Sequence, residues 1–531
     1  MRSLFALKTE SIVLLAIASF ICGCGAESRS PSGEAHVEAM PRTVANPTDE
    51  LPPTEGTETY AHVIENGILP VVDHPLSTFS IDTDTASYSN IRRFLLQGQL
   101  PPPDAVRIEE CLNYFTYNYP PPDGDAPFSI HAEVAGCPWN PAHRLAKLGI
   151  QGRTVSSEQR PAANLVFLLD VSGSMNHPKK LPLLKESMRL LVEQLGESDH
   201  IAIVVYAGAA GMVLPSTSAS QAKKIGDAID QLQAGGSTNG AIGITLAYEI
   251  AVENMVPNGI NRVILCTDGD FNVGITDRTQ LTSLIEDKAK SGVFLSVLGF
   301  GMGNIKDDTM EGLADRGNGN YAYIDSFNEA KKVLVDQVSG TLVTIAKDVK
   351  IQVHFNPAQV AGYRLIGYDN RRLANRDFAD DTKDAGEIGA GHSVTALYEI
   401  VPANTPAPDA EAVTSEPSAP RNAGSELFTV KLRYKQPNDH SSLESQFTVN
   451  DRGTSFKEAS SDFRFAAAVT QFAMLLKNSA HRGQATFEST LELKDSARND
   501  PKGYRTEFFE LVRQARGLRN NSAPRINVPA D

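Results

Sequence analysis

Short apolar runs alternate with helical patterns through the middle of the chain. The runs are rich in Val, Ile and Leu and do not alternate with polar residues, which predicts parallel strands covered on both faces. They are Leu165–Leu169, Ile201–Tyr206, Val263–Cys266 and Val293–Phe300. Between and after them, helical periodicity occurs over Leu183–Leu195, Ala219–Leu232, Ala241–Asn254, Gln280–Lys290 and Asp307–Asp315. This order predicts an α/β domain with a doubly wound, mainly parallel sheet over residues 163–342.

The preceding region, residues 75–152, has a mixed pattern that predicts a small α+β domain. An alternating segment leads to Asp84 or Thr85, either of which can cap a helix through Arg92 and Leu96. A helix over Val106–Phe115 and a strand over Phe128–Val134 are expected to follow. The carboxylates of Asp82 and Asp84 are possible metal ligands, but helix capping and solvated edge positions are the interpretation that we prefer.

The region after residue 342 changes character and predicts a mixed β-rich and helical domain over residues 343–518. Strands are expected at Val349–His354, Tyr363–Tyr368, Ser393–Ile400 and Phe428–Tyr434, and helices at Phe463–Leu476 and Gly503–Arg516. A segment rich in Pro, Ala and Glu over residues 401–425 predicts a mobile hairpin insertion. Residues 519–531 are predicted to be a tail. With 531 residues, the chain is long enough for about three domains.

The first residues have the pattern of an export signal. Arg2 and Lys8 precede the apolar run Ser11–Ile21, which is too short to span a bilayer. The run ends in Ile-Cys-Gly-Cys, which resembles the bacterial lipobox, so residues 1–24 are predicted to be a lipoprotein signal peptide with Cys24 as the lipidated residue. An ordinary secretory signal is the alternative.

Residues 25–74 are rich in Pro, Glu, Ser and Thr and have no apolar period, which predicts a disordered tether. Together with the lipid anchor, this places the protein in the bacterial cell envelope, on the periplasmic or the surface side. Gly25, which follows the predicted lipidated cysteine, is not Asp, and by analogy with enteric sorting this favours the outer membrane.

Charge and cysteine content narrow the function classes. The formal net charge of −15 repels phosphate backbones, so we expect no nucleic-acid partner. Five cysteines are too few for a disulfide-built scaffold. Cys111 and Cys137 either pair after export or stay free, and the sequence leaves both possibilities open.

Three loops with oxygen-bearing side chains follow predicted strands or precede a predicted helix of the central region. Asp170-Val171-Ser172-Gly173-Ser174 follows the first strand, a Gly-Gly-Ser-Thr loop ends at Thr238, and Asp268 follows the strand Val263–Cys266. Ligands of doubly wound sheets bind at the carboxyl ends of the strands. These loops are therefore expected to meet at one edge of the sheet.

This set resembles the metal-ion-dependent adhesion site (MIDAS) of von Willebrand factor type A (VWA) domains, which combines Asp-x-Ser-x-Ser with a distant Thr and a distant Asp. All of its positions are present, at Asp170, Ser172, Ser174, Thr238 and Asp268. Residues 80–88, 92–94 and 137–140 also resemble the N-terminal flanking domain of a bacterial family of secreted or lipid-anchored VWA proteins. Residues after 343 resemble its C-terminal domain of unknown function, so the resemblance covers about residues 75–518.

The resemblance implies a divalent cation, Mg²⁺ or Mn²⁺, held by hydroxyl oxygens of Ser172, Ser174 and Thr238. Asp170 and Asp268 would act through water or by positioning the hydroxyls. It further implies that an open position on the cation accepts an Asp or Glu carboxylate from a protein partner.

Three functions compete for this chain. We expect an envelope lipoprotein that binds a protein partner through the metal. The first alternative is a scaffolding lipoprotein in which the metal only stabilises the domain. The second is metal-assisted hydrolysis, but the sequence offers no general base and no nucleophile–base set, so an enzyme is not expected.

Overall fold

A computed structural model describes residues 57–522 except 157, 238–239, 270–277, 404, 406–425, 438, 440 and 499. Several features that the sequence predicts lie outside these residues. They are the signal peptide with Cys24, the tether up to residue 56, Thr238, most of the 401–425 insertion and the end of the tail.

Strands and helices are numbered here along the described residues. The strands are β1 (Leu69–Pro70), β2 (Leu76–Ser80), β3 (Phe128–Gly136), β4 (Arg144–Gly152), β5 (Ala163–Asp170), β6 (His200–Tyr206), β7 (Ala210–Ser218), β8 (Ile260–Thr267), β9 (Phe294–Phe300), β10 (Tyr321–Ile324), β11 (Thr344–Phe355), β12 (Val360–Ile366), β13 (Gly386–Gly389), β14 (Ser393–Pro402), β15 (Glu426–Lys435) and β16 (Ser442–Asn450). The helices are α1 (Ala86–Leu96), α2 (Ile108–Asn113), α3 (Leu181–Val192), α4 (Ala222–Asp230), α5 (Gly240–Glu253), α6 (Arg278–Ala289), α7 (Asp307–Arg316), α8 (Phe327–Lys331), α9 (Val338–Leu342), α10 (Ser461–Lys477), α11 (Phe487–Glu492) and α12 (Tyr504–Ser522).

The predicted parallel sheet of the central region is confirmed. Its strand order is β10-β9-β8-β5-β6-β7, and all neighbouring pairs are parallel except β6 with β7. Every residue of β5 is buried because helices cover both faces of the sheet at its centre. The edge strands β7 and β10 were not predicted. β7 carries exposed and polar positions, and β10 has only four residues.

The two flanking regions do not form separate sheets, contrary to the predicted independent domains. A five-stranded sheet has the order β1-β12-β14-β4-β3, so two neighbouring C-terminal strands, β12 and β14, lie between N-terminal strands on both sides. A second sheet has the order β13-β11-β15-β16, and β2 pairs with β11. Hydrogen bonds between strands more than two hundred residues apart therefore join the two flanks into one structure.

Residues 57–74 are folded, so the prediction that the tether extends to residue 74 is wrong. The Thr57 amide donates to the Gly303 carbonyl at 2.7 Å, and β1 pairs with β12. Val71 is only 1% exposed. A few backbone hydrogen bonds and isolated buried apolar side chains such as Val71 fix this segment. Such contacts produce no periodic pattern in a sequence rich in Pro and Glu.

A helical layer forms a second core beside the five-stranded sheet. Helix α10 contributes twelve buried residues, and α2 and α12 pack against it. Cys111 and Cys137 lie in this core as free, buried thiols, as does Cys266 in the central sheet. None of the helices that the structure describes is both long and apolar enough to cross a membrane.

Candidate metal centre

Asp170 is the last residue of β5, the strand at the centre of the parallel sheet. Its carboxylate is buried and held from two sides. Oδ1 accepts a hydrogen bond from the Ser172 amide at 2.9 Å, and Oδ2 accepts from the hydroxyls of Tyr206 and Thr267, both at 3.3 Å. Because these donors come from the loop after β5 and from the last residues of β6 and β8, this edge of the sheet fixes the orientation of the carboxylate.

The two serines of the first loop point at each other. Their Oγ atoms are 2.9 Å apart, with Ser172 buried and Ser174 exposed. The Gly173 amide donates to the Gly236 carbonyl at 3.0 Å, which joins this loop to the loop that leads to Thr238. The structure therefore brings together two of the predicted hydroxyl ligands and the segment carrying the third, although Thr238 itself lies outside the described residues.

Asp268 follows β8 and is fully buried. Its Oδ2 accepts a hydrogen bond from the Lys180 ammonium at 2.8 Å, and the same ammonium donates to Asn304 Oδ1 at 3.1 Å. Lys180 directly precedes α3, and its stem passes over Gly301, where a Cβ would come within 2.3 Å of the lysine. The sequence did not predict the role of this lysine, because the motif has no position for a cation that contacts the second aspartate.

Different surroundings give the two aspartates different pKa values. Burial raises the pKa of Asp170 to about 6, although hydrogen bonds from Ser172 and Tyr206 oppose the rise. For Asp268, burial also acts to raise the pKa, but the Lys180 ammonium and hydrogen bonds from Ser174 and Asn304 outweigh it, so the pKa is lowered. One carboxylate thus has a nearby cation, and the other has hydroxyl and amide donors.

The described residues fit a small divalent cation. Hydrogen bonds connect Asp170, Ser172, Ser174 and Asp268 into one cluster of oxygens at the carboxyl ends of β5 and β8. Hard oxygen ligands, including hydroxyls and carboxylates, are those that Mg²⁺ and Mn²⁺ prefer. Ser172 and Ser174 would hold the cation, and Asp170 and Asp268 would position the hydroxyls and balance its charge.

Asp82 and Asp84 lie elsewhere, in a buried ionic network. They are buried rather than solvated, and Arg371 lies 3.3 Å from Asp82 and 3.6 Å from Asp84. Helix α1 begins after Thr85, whose side chain makes no capping hydrogen bond. The expectation of capping residues at a solvated edge is therefore wrong, because these aspartates face the guanidinium group of the C-terminal flank.

Family models match most of the chain. A von Willebrand factor type A domain model matches residues 164–337, a von Willebrand factor model matches residues 54–147, and the model described as uncharacterized protein YfbK, C-terminal, matches residues 340–518. The sheet and the oxygen cluster at its carboxyl edge are thus those of a VWA domain. Domains of this class typically bind a divalent metal at the MIDAS and mediate protein–protein interactions.

Uncharacterized protein YfbK of Escherichia coli is 41% identical to this chain over 510 residues, which is 93% of the chain and 86% of YfbK. The chain belongs to the family of VWA proteins that includes YfbK.

Solved structures give more distant matches. A von Willebrand factor type A protein from Catenulispora acidiphila is 15% identical, covers 75% of this chain and 91% of its own, and has a TM-score of 0.42. Proximal thread matrix protein 1 from the mussel byssus, with a zinc-occupied MIDAS motif, is 24% identical, covers 36% and 47%, and has a TM-score of 0.28.

Proposed function

We propose that this protein is a lipid-anchored cell-envelope protein that binds a protein partner through a divalent metal, Mg²⁺ or Mn²⁺, at the end of β5. The observation that carries the proposal is the hydrogen-bonded cluster of Asp170, Ser172, Ser174 and Asp268. When bound there, the metal supplies a positive charge with a coordination position for an anionic group. A partner's Asp or Glu carboxylate is the matching ligand.

The residues of the site divide this work. The Asp170 carboxylate accepts hydrogen bonds from Ser172, Tyr206 and Thr267. These bonds fix the carboxylate in the orientation that positions the loop carrying Ser172. Ser174 is exposed, which puts the outer side of the cluster within reach of a partner. The Lys180 ammonium balances the charge of Asp268. Among the described residues of the cluster, Asp170 is therefore the carboxylate whose charge is left for a metal to balance.

Metal binding is tested by thermal and urea unfolding with added metal and with EDTA. Mg²⁺ or Mn²⁺ at about ten times its Kd should raise the free energy of unfolding by about 1.4 kcal/mol. Ser172→Ala should abolish this rise. Ser291→Ala is the matched control, because that serine is exposed and bonds only to the Lys288 carbonyl of its own turn. An unfolding curve that neither EDTA nor metal changes contradicts the metal site.

Partner binding is tested by affinity capture from envelope extracts. A specific partner should be retained with Mg²⁺, released by EDTA and absent with Ser172→Ala. Amidation of the extract's carboxylates should also prevent its capture. If metal stabilises the fold but capture is unchanged by EDTA and by Ser172→Ala, the scaffolding role is correct instead. A hydrolytic activity that Asp170→Ala abolishes would contradict a purely binding role.

The anchor is tested separately by palmitate labelling in cells. Labelling of the wild-type protein and its loss in Cys24→Ala are expected. Labelling that persists in Cys24→Ala contradicts the assignment of the anchor to this cysteine.

A further inference from the structure

A groove of about 670 Å³ lies between the two flanking regions and is separate from the metal centre. Its walls are the segment after α2, residues of β3 and β4, and the starts of α10 and α12. A volume between about 300 and 1,000 Å³ is typical of sites for small ligands. No residue of the central sheet lines it, so the metal centre and the groove can be tested independently.

One wall of the groove is aromatic and fixed in place. The ring of Tyr119 lies over Gly149 of β4, where a Cβ would come within 2.2 Å of the tyrosine Cζ. It also stacks on His131 with an interplanar angle of 2° and a centroid separation of 5.6 Å. The Tyr119 hydroxyl bonds to the Thr395 hydroxyl at 2.9 Å. A glycine at this position of the strand therefore lets the ring lie flat against the sheet.

Lys147 places a buried ammonium on this wall. Its side chain is only 5% exposed, and Nζ lies 5.3 Å from the ring centroid of Tyr119 and 5.6 Å from that of Tyr117. Lys147 forms a long ion pair with Glu133, whose Oε2 lies 3.7 Å from Nζ, which is beyond hydrogen-bond distance. The two oxygens of Glu133 already accept from the amide and hydroxyl of Ser460, at 2.7 and 2.6 Å.

The neighbouring charged groups are committed to other partners. Arg505 pairs with Asp462 at 2.8 Å and donates to the Thr116 carbonyl at 2.9 Å. Lys502 pairs with Asp336 at 2.8 Å. Among these cations of the groove, Lys147 thus has the longest ion pair, 3.7 Å to Glu133 against 2.8 Å for the pairs of Arg505 and Lys502. Burial lowers the pKa of Lys147, although Glu133 opposes this. An anion bound beside the ammonium would therefore stabilise its charged form.

We propose that the groove binds small apolar carboxylates, with the carboxylate on Lys147 Nζ and the apolar body against the rings of Tyr117 and Tyr119. The ligand's carboxylate supplies an acceptor at hydrogen-bond distance, closer than Glu133 at 3.7 Å, and the aromatic wall covers the rest of the ligand.

Calorimetric titration with 3-phenylpropionate tests the site, in EDTA so that the metal centre does not contribute. The acid should bind, and the neutral isostere 3-phenylpropionamide should bind at least tenfold more weakly. Lys147→Met keeps the aliphatic stem but removes the charge, and it should weaken binding of the acid at least tenfold. Lys502→Met is the matched control, since that lysine lines the same groove but is already paired, and its affinity should equal that of the wild type.

Ser461→Trp provides a second variant, which keeps the proposal testable if Lys147→Met does not fold. Ser461 is exposed at the first residue of α10, so an indole there fills the groove without contact to the core. This variant should likewise weaken binding of the acid at least tenfold. The proposal is overturned if the wild type does not bind the acid, if acid and amide bind equally, or if either folded variant retains wild-type affinity.

Discussion

Two regions of this molecule bury several carboxylates, and they balance the charge in opposite ways. At the contact between the N-terminal flank and the VWA domain, arginines do this work. Arg107 contacts Glu110, Asp307 at 2.5 Å and Glu311 at 3.5 Å, and all of these side chains are buried. At the carboxyl edge of the central sheet, the described residues give Asp170 hydroxyl and amide donors, and Lys180 reaches Asp268.

This difference distinguishes buried charges that stabilise the fold from buried charges that are available to bind a ligand. A guanidinium group is permanently charged and makes several hydrogen bonds at once. The arginine network therefore stabilises the contact between the N-terminal flank and the VWA domain. Even there the compensation is incomplete, since burial raises the pKa of Glu110 to about 8 although Arg107 opposes this. Hydroxyl donors orient Asp170 without neutralising it, which leaves charge for a cation to balance.

The largest effect is expected from breaking the arginine network. Arg107→Met leaves Glu110 and Asp307 buried without their cation, and it should lower the free energy of unfolding by about 3–5 kcal/mol. Urea unfolding measures the change. Arg189→Met is the control, because Arg189 and Asp230 form an exposed pair whose loss should cost at most about 1 kcal/mol. Equal losses in the two variants would remove the distinction between buried and surface pairs.

The neighbouring carboxylate on α2, Glu109, lies against Gly367 of the C-terminal flank, and its pH dependence sharpens the comparison. Glu109 is 2% exposed, and its Oε2 has no hydrogen-bond partner among the described residues. Burial raises its pKa from 4.5 to about 7, with a smaller contribution from Asp369. Between these two values the unfolded chain releases the proton while the folded protein keeps it, so this group lowers the free energy of unfolding as pH rises.

Glu109→Gln removes this pH-dependent loss. The variant should be more stable than the wild type by about 1–3 kcal/mol at pH 8.5 and nearly equal to it at pH 4. Unfolding curves at both pH values measure the difference. A stability difference that is the same at both would show that Glu109 is not the titrating group.

The smallest of these effects is expected at the metal centre itself. Lys180→Met removes a cation 2.8 Å from Asp268, so the carboxylate becomes available and repulsion of a second cation disappears. Affinity for Mn²⁺, measured by electron paramagnetic resonance titration, should rise about tenfold, which corresponds to about 1.4 kcal/mol. Unchanged or weaker Mn²⁺ binding in a folded variant would mean that Lys180 supports the site rather than competing with the metal.

The amino-acid sequence alone determined the four inner strands of the central sheet, β5, β6, β8 and β9, and the edge at which its candidate site lies. The runs Leu165–Leu169 and Val263–Cys266 are continuous and apolar because both faces of a central parallel strand are buried, and this is a local signal. Asp170 follows the first run directly and Asp268 follows the second after one residue, so the rule that parallel strands end at one edge was enough to place them together.

Only the tertiary structure decided the contacts between distant segments. The pairing of β4 with β14, the packing of residues 57–74, the reach of Lys180 to Asp268 and the burial of Lys147 under two tyrosines leave no periodic trace in the sequence. Local periodicity reports whether a residue is buried, because burial follows the geometry of its own helix or strand. It does not report which partner buries it, since that depends on how elements far apart in the chain pack together.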